Sequence, residues 1–295
     1  AFGSSLTEDL RRRDFPVHAM AVELPSLEFA DPFGGLDDLV ARRLRTPGRP
    51  EDSFGDDPLR MMRAARFTSQ LGFTPAPRVI DALHRMAGQI ERITAERVQA
   101  ELSKLLCGAY PRLGIELLVD SGLAGHVLPE VPAMRLEIDE HHQHKDVYEH
   151  TLIVVQNAIR LEGETGPDFT LRMAALMHDV GKPATKDVGR DGRVSFHHHE
   201  VVGAKMVRKR LRALRYSKEI IESVANLVFL HLRFHGYGKG EWTDSAVRRY
   251  VTDAGHLLPR LHKLTRSDVT TRNRRKAAQL AADYDALEER IARIQ

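Results

Sequence analysis

The most informative segment of the chain is FTLRMAALMHDVGK, residues 169–182. Its apolar part, Phe169 to Met177, has the composition of a buried helix that ends at His178. An ionisable pair at the end of a buried helix is unfavourable unless it is coordinated or paired. His178 and Asp179 are therefore candidate metal ligands. Lys182 adds a cation three residues after Asp179 and is a candidate catalytic residue.

Other histidines and carboxylates lie on both sides of this pair, with predicted helix between them. The candidates are His150, His199, His231 and Asp268. Imidazole and carboxylate ligands together suit zinc, iron, nickel, manganese or cobalt, and a bridging carboxylate holds two such ions at about 3.5–4 Å. Such a centre, with Lys182 available for a phosphate, favours a phosphoester hydrolase.

The other histidines have a simpler interpretation. A lone histidine is usually a surface residue or a helix cap. We interpret ten of the 15 in this way, namely His18, His84, His126, His141, His142, His144, His197, His198, His256 and His262.

The composition excludes several classes of protein. The single cysteine, Cys107, closes no disulfide within the chain, so we exclude a disulfide-stapled secreted scaffold and expect a cytoplasmic protein. No run approaches the roughly 18 apolar residues of a membrane span, and we expect no membrane partner. A formal charge of +3 over 295 residues excludes a histone-like polycation.

Helical spacing of apolar residues recurs along most of the chain. It predicts helices over Leu59–Leu71, Pro77–Ile90, Thr94–Gly108, Arg112–Ser121, Tyr148–Leu161, Phe169–His178, Val201–Leu214, Lys218–Leu230, Ser245–Val251 and Arg275–Ile294. The opening residues differ, because the short apolar runs Val17–Leu24 and Leu27–Phe29 precede a turn-rich segment and favour strands.

We therefore predict a mainly α fold with four parts. Residues 1–50 are the C-terminal part of an α/β head, and residues 51–135 form a helical neck and body. Residues 136–275 form an all-helical domain that holds the histidines, and residues 276–295 form a C-terminal helix.

Arginines occupy every third position of one predicted helix, at Arg60, Arg63 and Arg66. Each step turns by about 60° around the helix, so the spacing predicts that the three guanidinium groups share one face, suited to nucleotide phosphates or a base edge. Asp57 and Arg60 offer the acceptors and donors that reading a Watson–Crick edge requires. An N-cap aspartate followed by a solvated basic face explains the same spacing equally well.

The ordered histidines and aspartates resemble those of the HD phosphohydrolase superfamily, whose fold is all-helical. The resemblance implies that four residues are metal ligands, namely His150, His178, Asp179 and Asp268. It also implies that His199 and His231 complete a second metal site or contact phosphate.

Four elements follow one another in the order found in bacterial tRNA nucleotidyltransferases. They are Arg11–Phe15, Asp31–Gly35, Asp56–Arg60 and Glu96–Leu106. The chain resembles the CCA-adding enzymes and their poly(A) polymerase relatives over nearly its whole length, including the HD region. The resemblance implies nucleotide-binding roles for Arg13, Asp14, Asp57, Arg60, Arg63 and Arg66. It implies tRNA, CTP and ATP as partners and Mg²⁺ as the cofactor of nucleotidyl transfer.

The chain departs from the family pattern in three places. Pro16 and His18 stand where the family has a threonine and an asparagine, and Asp56 stands where it has a glutamate. The family's magnesium-binding Asp-x-Asp pair lies upstream of its Arg-Arg-Asp-Phe element, and here ten residues precede Arg11. The only Asp-x-Asp present, Asp283–Asp285, is in a predicted helix that points the two carboxylates to different sides. We therefore expect this chain to lack the magnesium ligands and to be inactive alone in nucleotidyl transfer.

Two basic stripes are candidate RNA contacts, although such stripes are more often solvated faces. The first comprises Lys205, Arg208, Lys209, Arg212 and Arg215, and the second comprises Arg266, Arg272, Arg274, Arg275 and Lys276. Three functions are thus open for the chain. It is part of a tRNA nucleotidyltransferase with an HD domain, a stand-alone HD phosphohydrolase acting on phosphomonoesters, cyclic phosphodiesters or nucleotides, or a non-catalytic tRNA-binding module.

Overall fold

The computed structural model describes residues 5–136, 146–164, 166–192, 194–234, 237, 242–271 and 273–294. These residues form two compact units, Ala1–Pro129 and Glu130–Gln295. Helices dominate both units, as the sequence predicts. None of the helices in the described ranges combines the length and the apolar character that crossing a membrane requires.

The first unit contains eight helices among its described residues. They are α1 (Leu6–Arg11), α2 (Gly35–Val40), α3 (Pro50–Asp56), α4 (Leu59–Leu71), α5 (Pro77–Met86), α6 (Ala95–Leu106), α7 (Pro111–Asp120) and α8 (Leu123–Val127). Helix α4 has the predicted bounds, and Gly72 ends it in the left-handed conformation with φ +67°. The predicted helix Pro77–Ile90 is shorter, because α5 passes into a 3₁₀ turn over Ala87–Arg92.

Helix α4 is the centre of the first unit, since it packs against both α6 and α7. Gly114 makes the approach of α7 possible, because a Cβ there would lie 2.8 Å from the carbonyl oxygen of Ala65. Ser69 on α4 donates a hydrogen bond to the Leu105 carbonyl of α6 at 2.5 Å. These contacts fix the face of α4 that carries the arginines.

The strands predicted near the N-terminus are much shorter than expected. Strands β1 (Ala21–Val22) and β2 (Phe29–Ala30) pair antiparallel, with Ala21 opposite Ala30. Strand β3 (Arg43–Leu44) pairs in parallel with β4 (Thr74–Pro75). Pro16 opens a 3₁₀ turn within the predicted strand, and the Asp31 carboxylate accepts hydrogen bonds from the first amides of α2. Local turn and capping chemistry thus replaces extended structure.

The second unit is built from eight further helices in its described part. They are α9 (Val147–Leu161), α10 (Phe169–Met177), α11 (Lys182–Thr185), α12 (His199–Ala213), α13 (Lys218–Leu230), α14 (Asp244–Ala254), α15 (Leu258–Ser267) and α16 (Arg274–Ile294). Strands β5 (Asp187–Val188) and β6 (Val194–Ser195) form a short antiparallel hairpin. Helix α10 is buried along most of its length and packs on α9, α13 and α15. It is the core element that the apolar run Phe169–Met177 predicts.

Candidate metal centre and arginine-lined site

All six of the predicted metal ligands come together in the second unit. His150 lies in the first turn of α9, and His178 and Asp179 directly follow α10. His199 begins α12, His231 follows α13 and Asp268 follows α15. Because the ends of five helices meet here, residues far apart in sequence converge on one point.

Asp179 is at the centre of this cluster, with both carboxylate oxygens facing imidazoles. Its Oδ2 lies 3.1 Å from Nε2 of His178 and 3.7 Å from Nε2 of His150. Its Oδ1 lies 3.3 Å from Nε2 of His199 and 3.9 Å from Nε2 of His231. Asp179 therefore belongs to two groups of three ligands, one on each oxygen.

Asp268 completes the first of these groups from the opposite side. Its Oδ1 lies 2.9 Å from Nε2 of His150 and 3.6 Å from Nε2 of His178. The side chains of His150 and Asp268 are 16% and 20% exposed, whereas those of His178 and Asp179 are 1% and 2% exposed. The cluster is therefore open to solvent on the His150–Asp268 side.

Each histidine is oriented by a hydrogen bond to its other ring nitrogen. The Nδ1 atoms of His178, His199 and His231 contact the backbone carbonyls of residues 175, 196 and 228 at 2.9, 2.8 and 2.6 Å. The Nδ1 of His150 contacts Oγ1 of Thr270 at 3.1 Å. A backbone carbonyl only accepts, so Nδ1–H of these three histidines donates a hydrogen bond and Nε2 is the nitrogen that faces Asp179.

The donor atoms fit a divalent metal ion. The Nε2 atoms of His178, His199 and His231 are buried and make no hydrogen bond of good geometry among the described residues. Buried polar atoms without such partners are unfavourable, and coordination satisfies all three. Three imidazole nitrogens around a carboxylate suit nickel, manganese, iron, cobalt or zinc.

The charges around Asp179 shift the pKa values of its neighbours in opposite directions. Burial lowers the pKa of His178, but the carboxylates of Asp179 and Asp268 outweigh burial and raise it to about 10. Burial and the charge of His178 lower the pKa of His231 to about 3. Burial raises the pKa of Asp179, but His178 and Lys182 outweigh it and hold it well below its usual range. Without metal, one imidazolium therefore balances the buried carboxylate.

Lys182 is at the edge of this centre. Its Nζ lies 2.9 Å from Oδ2 of Asp179, and its side chain is 20% exposed. The same ammonium group lies 5.7 Å from the ring centre of Phe196. The predicted phosphate-binding cation thus reaches the metal-ligand cluster and retains access to solvent.

Two of the three predicted nucleotide-binding arginines of α4 converge on Asp14. Arg60 lies 3.3 Å from Oδ1 of Asp14, and Arg63 forms a salt bridge with Oδ2. Arg60 also donates hydrogen bonds to Ser53 and to the backbone carbonyl of Arg12. The buried Asp14 carboxylate therefore holds two guanidinium groups side by side.

Arg66 does not share that face, which corrects the prediction from its spacing. Its guanidinium lies 3.2 Å from Glu101 of α6 and 4.1 Å from the ring centre of Phe67, and both charged side chains are buried. Two steps of about 60° separate Arg66 from Arg60 by about 120° on the helix. The third arginine consequently points into the helix packing.

Asp57 and Arg13 also have partners that the sequence did not indicate. Asp57 Oδ2 lies 2.8 Å from Arg97 of α6, and its Oδ1 accepts a hydrogen bond from the Leu59 amide, as an N-cap residue does. Arg13 pairs with Asp9 on the surface at 3.3 Å.

His18, one of the departures from the family motif, lies against α4. Pro16 begins the turn that carries His18, and the His18 ring packs 4.2 Å from the ring centre of Phe67. Burial and the nearby charges of Arg63 and Arg66 lower the pKa of His18, although Asp14 opposes the shift. An uncharged imidazole therefore lies beside the Asp14–Arg63 pair.

The two basic stripes predicted as candidate RNA contacts contain arginines that pair with carboxylates of the second unit. Arg208 pairs with Glu222 at 2.9 Å, and Arg266 pairs with Asp285 at 2.7 Å. Some predictions fall outside the described residues, namely those on His141, His142, His144 and Arg272. Thr270, which contacts Nδ1 of His150, is a neighbour of the metal centre that no sequence pattern indicated.

The structure thus combines a helix whose arginines pair with a buried aspartate and a cluster of four histidines and two aspartates in a mainly helical protein. Three family models match it: the poly A polymerase head domain over residues 1–45, the probable RNA and SrmB-binding site of polymerase A over 72–134, and the HD domain over 147–289. By these matches the chain has the head and RNA-binding domains of poly A polymerases followed by an HD domain.

Relatives with known names agree with this assignment. The A-adding tRNA nucleotidyltransferase of Deinococcus radiodurans is 36% identical over 90% of the chain and 60% of the relative. The CC-adding tRNA nucleotidyltransferase of Thermus thermophilus is 35% identical over 95% of the chain and 64% of the relative. The chain thus spans a little under two thirds of the length of these curated relatives.

Solved structures show the same fold. The CCA-adding enzyme of Bacillus stearothermophilus in complex with CTP superposes with a TM-score of 0.64 at 25% identity, over 99% of the chain and 60% of that structure. The Thermotoga maritima CCA-adding enzyme complexed with tRNA has a TM-score of 0.60 at 19% identity, over 97% of the chain and 62% of that structure.

Proposed function

We propose that the protein containing this chain adds CCA to the 3′ end of tRNA from CTP and ATP. The observation that carries the proposal is the pair of arginines that Asp14 holds together on α4. Two adjacent guanidinium forks match the geometry of a base edge or a polyphosphate. The relatives named A-adding and CC-adding tRNA nucleotidyltransferase and the solved CCA-adding enzyme with CTP support the same reaction class.

In this proposal the residues of the first unit have separate roles. Arg60 and Arg63 bind and orient the incoming nucleotide, and Asp14 is a positioning residue because it acts through them. Asp57 supplies an acceptor on the same helix start. Both groups of metal ligands among the described residues lie in the second unit.

The test uses the complete product of the gene, tRNA lacking its last three nucleotides, and labelled CTP or ATP. We expect Arg60→Ala to lower incorporation by about 10-fold to 100-fold, because charge-assisted hydrogen bonds contribute roughly 1.5–3 kcal/mol. Arg78→Ala removes an exposed arginine of α5 and is the matched control. Equal incorporation by Arg60→Ala and Arg78→Ala would contradict the nucleotide-binding role proposed for the α4 arginines.

A second activity is favoured by the buried Nε2 atoms that make no hydrogen bond of good geometry among the described residues. We propose that the HD centre is a metal-dependent phosphohydrolase acting on phosphomonoesters, cyclic phosphodiesters or nucleotides. His150, His178, Asp179 and Asp268 would hold one divalent ion, and His199 and His231 would complete a second site on Asp179. The bound metal supplies Lewis-acid stabilisation of the phosphoryl oxygens. Lys182 lies where it can bind a substrate phosphate.

This activity is tested by metal analysis and a phosphatase screen on the purified chain. We expect His178→Ala to lose bound transition metal and phosphatase turnover together, whereas the exposed His256→Ala in the same unit keeps both. Wild-type protein that holds no nickel, manganese, iron, cobalt or zinc after loading would contradict the proposal. Binding of tRNA without turnover in either assay would favour the non-catalytic binding module.

A further inference from the structure

Helix α12 presents three cations on one exposed face. They are Lys205, Lys209 and Arg212, and all three are exposed. At 100° per residue they fall within about 60° of one another around the helix, and they span about 10 Å along its axis. We call these three residues the α12 basic face.

The α12 basic face has no counter-charge in the described part of the second unit. Residues 201–213 contain no acidic residue, and no described residue forms a salt bridge with any of the three cations. Neighbouring arginines of the same helix behave differently, because Arg208 pairs with Glu222 and Arg210 pairs with Glu130, both at 2.9 Å. The helix therefore separates cations that bind its own unit from cations directed to solvent.

The composition of this face points to a polyanion and not to a protein surface. Like charges at i and i+4 destabilise a helix, so the arrangement gains nothing from the unit itself. The centre of a protein interface or of a membrane-binding helix presents large apolar side chains. Among the described residues, the large apolar side chains that are exposed lie on other elements than α12.

We propose that the α12 basic face binds the sugar-phosphate backbone of the tRNA substrate. The inference rests on the proposed tRNA nucleotidyltransferase function and adds a contact surface on the HD unit. Lysine and arginine side chains at successive helix turns neutralise neighbouring phosphates without reading bases. The face thus contributes affinity and salt dependence, and not choice of nucleotide.

The experiment measures binding of the chain to labelled tRNA by filter retention between about 0.05 and 0.3 M salt, the range over which phosphate contacts change affinity steeply. The test variant combines Lys205→Ala, Lys209→Ala and Arg212→Ala. The control variant combines Arg248→Ala, Arg249→Ala and Arg293→Ala, which removes the same charge from exposed positions of the same unit. A change that reflects only net charge affects both variants equally.

Three phosphate contacts contribute a slope of about 2 to 3 in the plot of log affinity against log salt. We therefore expect the test variant to lose about that much slope and to bind roughly 100-fold more weakly at about 0.15 M salt, while the control stays near wild type. Equal salt slopes for the two variants would overturn the proposal that the α12 basic face binds tRNA. If wild type still binds tRNA in that case, the nucleotidyltransferase proposal stands. Binding to anionic lipid vesicles is measured for the same variants. A test variant that loses binding to the vesicles but keeps binding to tRNA would also overturn the proposal, in favour of a membrane contact. No tRNA binding by wild type would overturn both proposals.

Discussion

At the scale of single residues, two buried aspartates organise the two sites. Asp179 faces His150 and His178 on one oxygen and His199 and His231 on the other. Asp14 holds Arg60 and Arg63 in a similar way, with one guanidinium group on each oxygen. In both cases an inner carboxylate fixes the positions of the groups that we propose to contact the substrate or the metal.

Asp14→Asn is the residue-scale test of this view. The substitution keeps the shape of the side chain but removes the charge that holds both guanidinium groups. We expect KM for CTP and ATP to rise about 10-fold, as loss of a charge-assisted contact of roughly 1.5 kcal/mol predicts. Steady-state incorporation into tRNA measures this change.

The control for that measurement is Asp9→Asn, because Asp9 pairs with Arg13 on the surface. Surface salt bridges contribute little, so its KM is expected to match wild type. A KM for Asp14→Asn that equals the control would show that Arg60 and Arg63 keep their positions without the carboxylate, through contacts such as those of Arg60 with Ser53 and the Arg12 carbonyl.

At the scale of elements, the sequence predicted helices well and tertiary partners poorly. The bounds of α4 and α13 follow from the spacing of their apolar residues. Gly72 ends α4, and Ser217 is the N-cap that begins α13. The histidines of the metal centre were found because their order is unusual, whereas Thr270 belongs to no such pattern. Arg66 was misplaced because its burial depends on Glu101 of α6, 35 residues away.

The N-terminal strands were overestimated because turn and capping chemistry overrides short apolar runs.

The approach of α11 to α12 gives the element-scale prediction. A Cβ at Gly181 would fall against the carbonyl oxygen of His199 and lie 2.8 Å from the amide nitrogen of Gly203. Gly181→Ala therefore pushes α12, and with it His199, away from Asp179. Overpacking of this kind destabilises by about 1–3 kcal/mol. We expect a lower unfolding midpoint for the second unit and a lower metal content, measured by calorimetry and elemental analysis.

A matched variant separates packing from loss of glycine flexibility. Gly163 has a φ of +78°, and a Cβ added there would meet no described atom within 4 Å, so Gly163→Ala strains the backbone without touching the metal centre. We expect Gly163→Ala to lower stability but to keep the metal content of wild type. Unchanged metal content in Gly181→Ala would contradict the packing role of that glycine.

At the scale of the whole molecule, the chain combines two chemical sites in two compact units, each with its own core. The first unit has the arginines proposed to bind nucleotides, and the second has a ligand set suited to divalent metal and a basic face on α12. Near-neutral net charge conceals this division, because the arginine-rich faces and the acidic positions cancel over the chain. The predicted boundaries at residues 50, 135 and 275 stay predictions.

The most direct measurement of the central claim is the sequence of tRNA 3′ ends after incubation with the complete gene product, CTP and ATP. Starting from tRNA that ends before its CCA, the proposed function predicts the stepwise addition of C, C and A. No added nucleotide under conditions where the protein binds tRNA would contradict it.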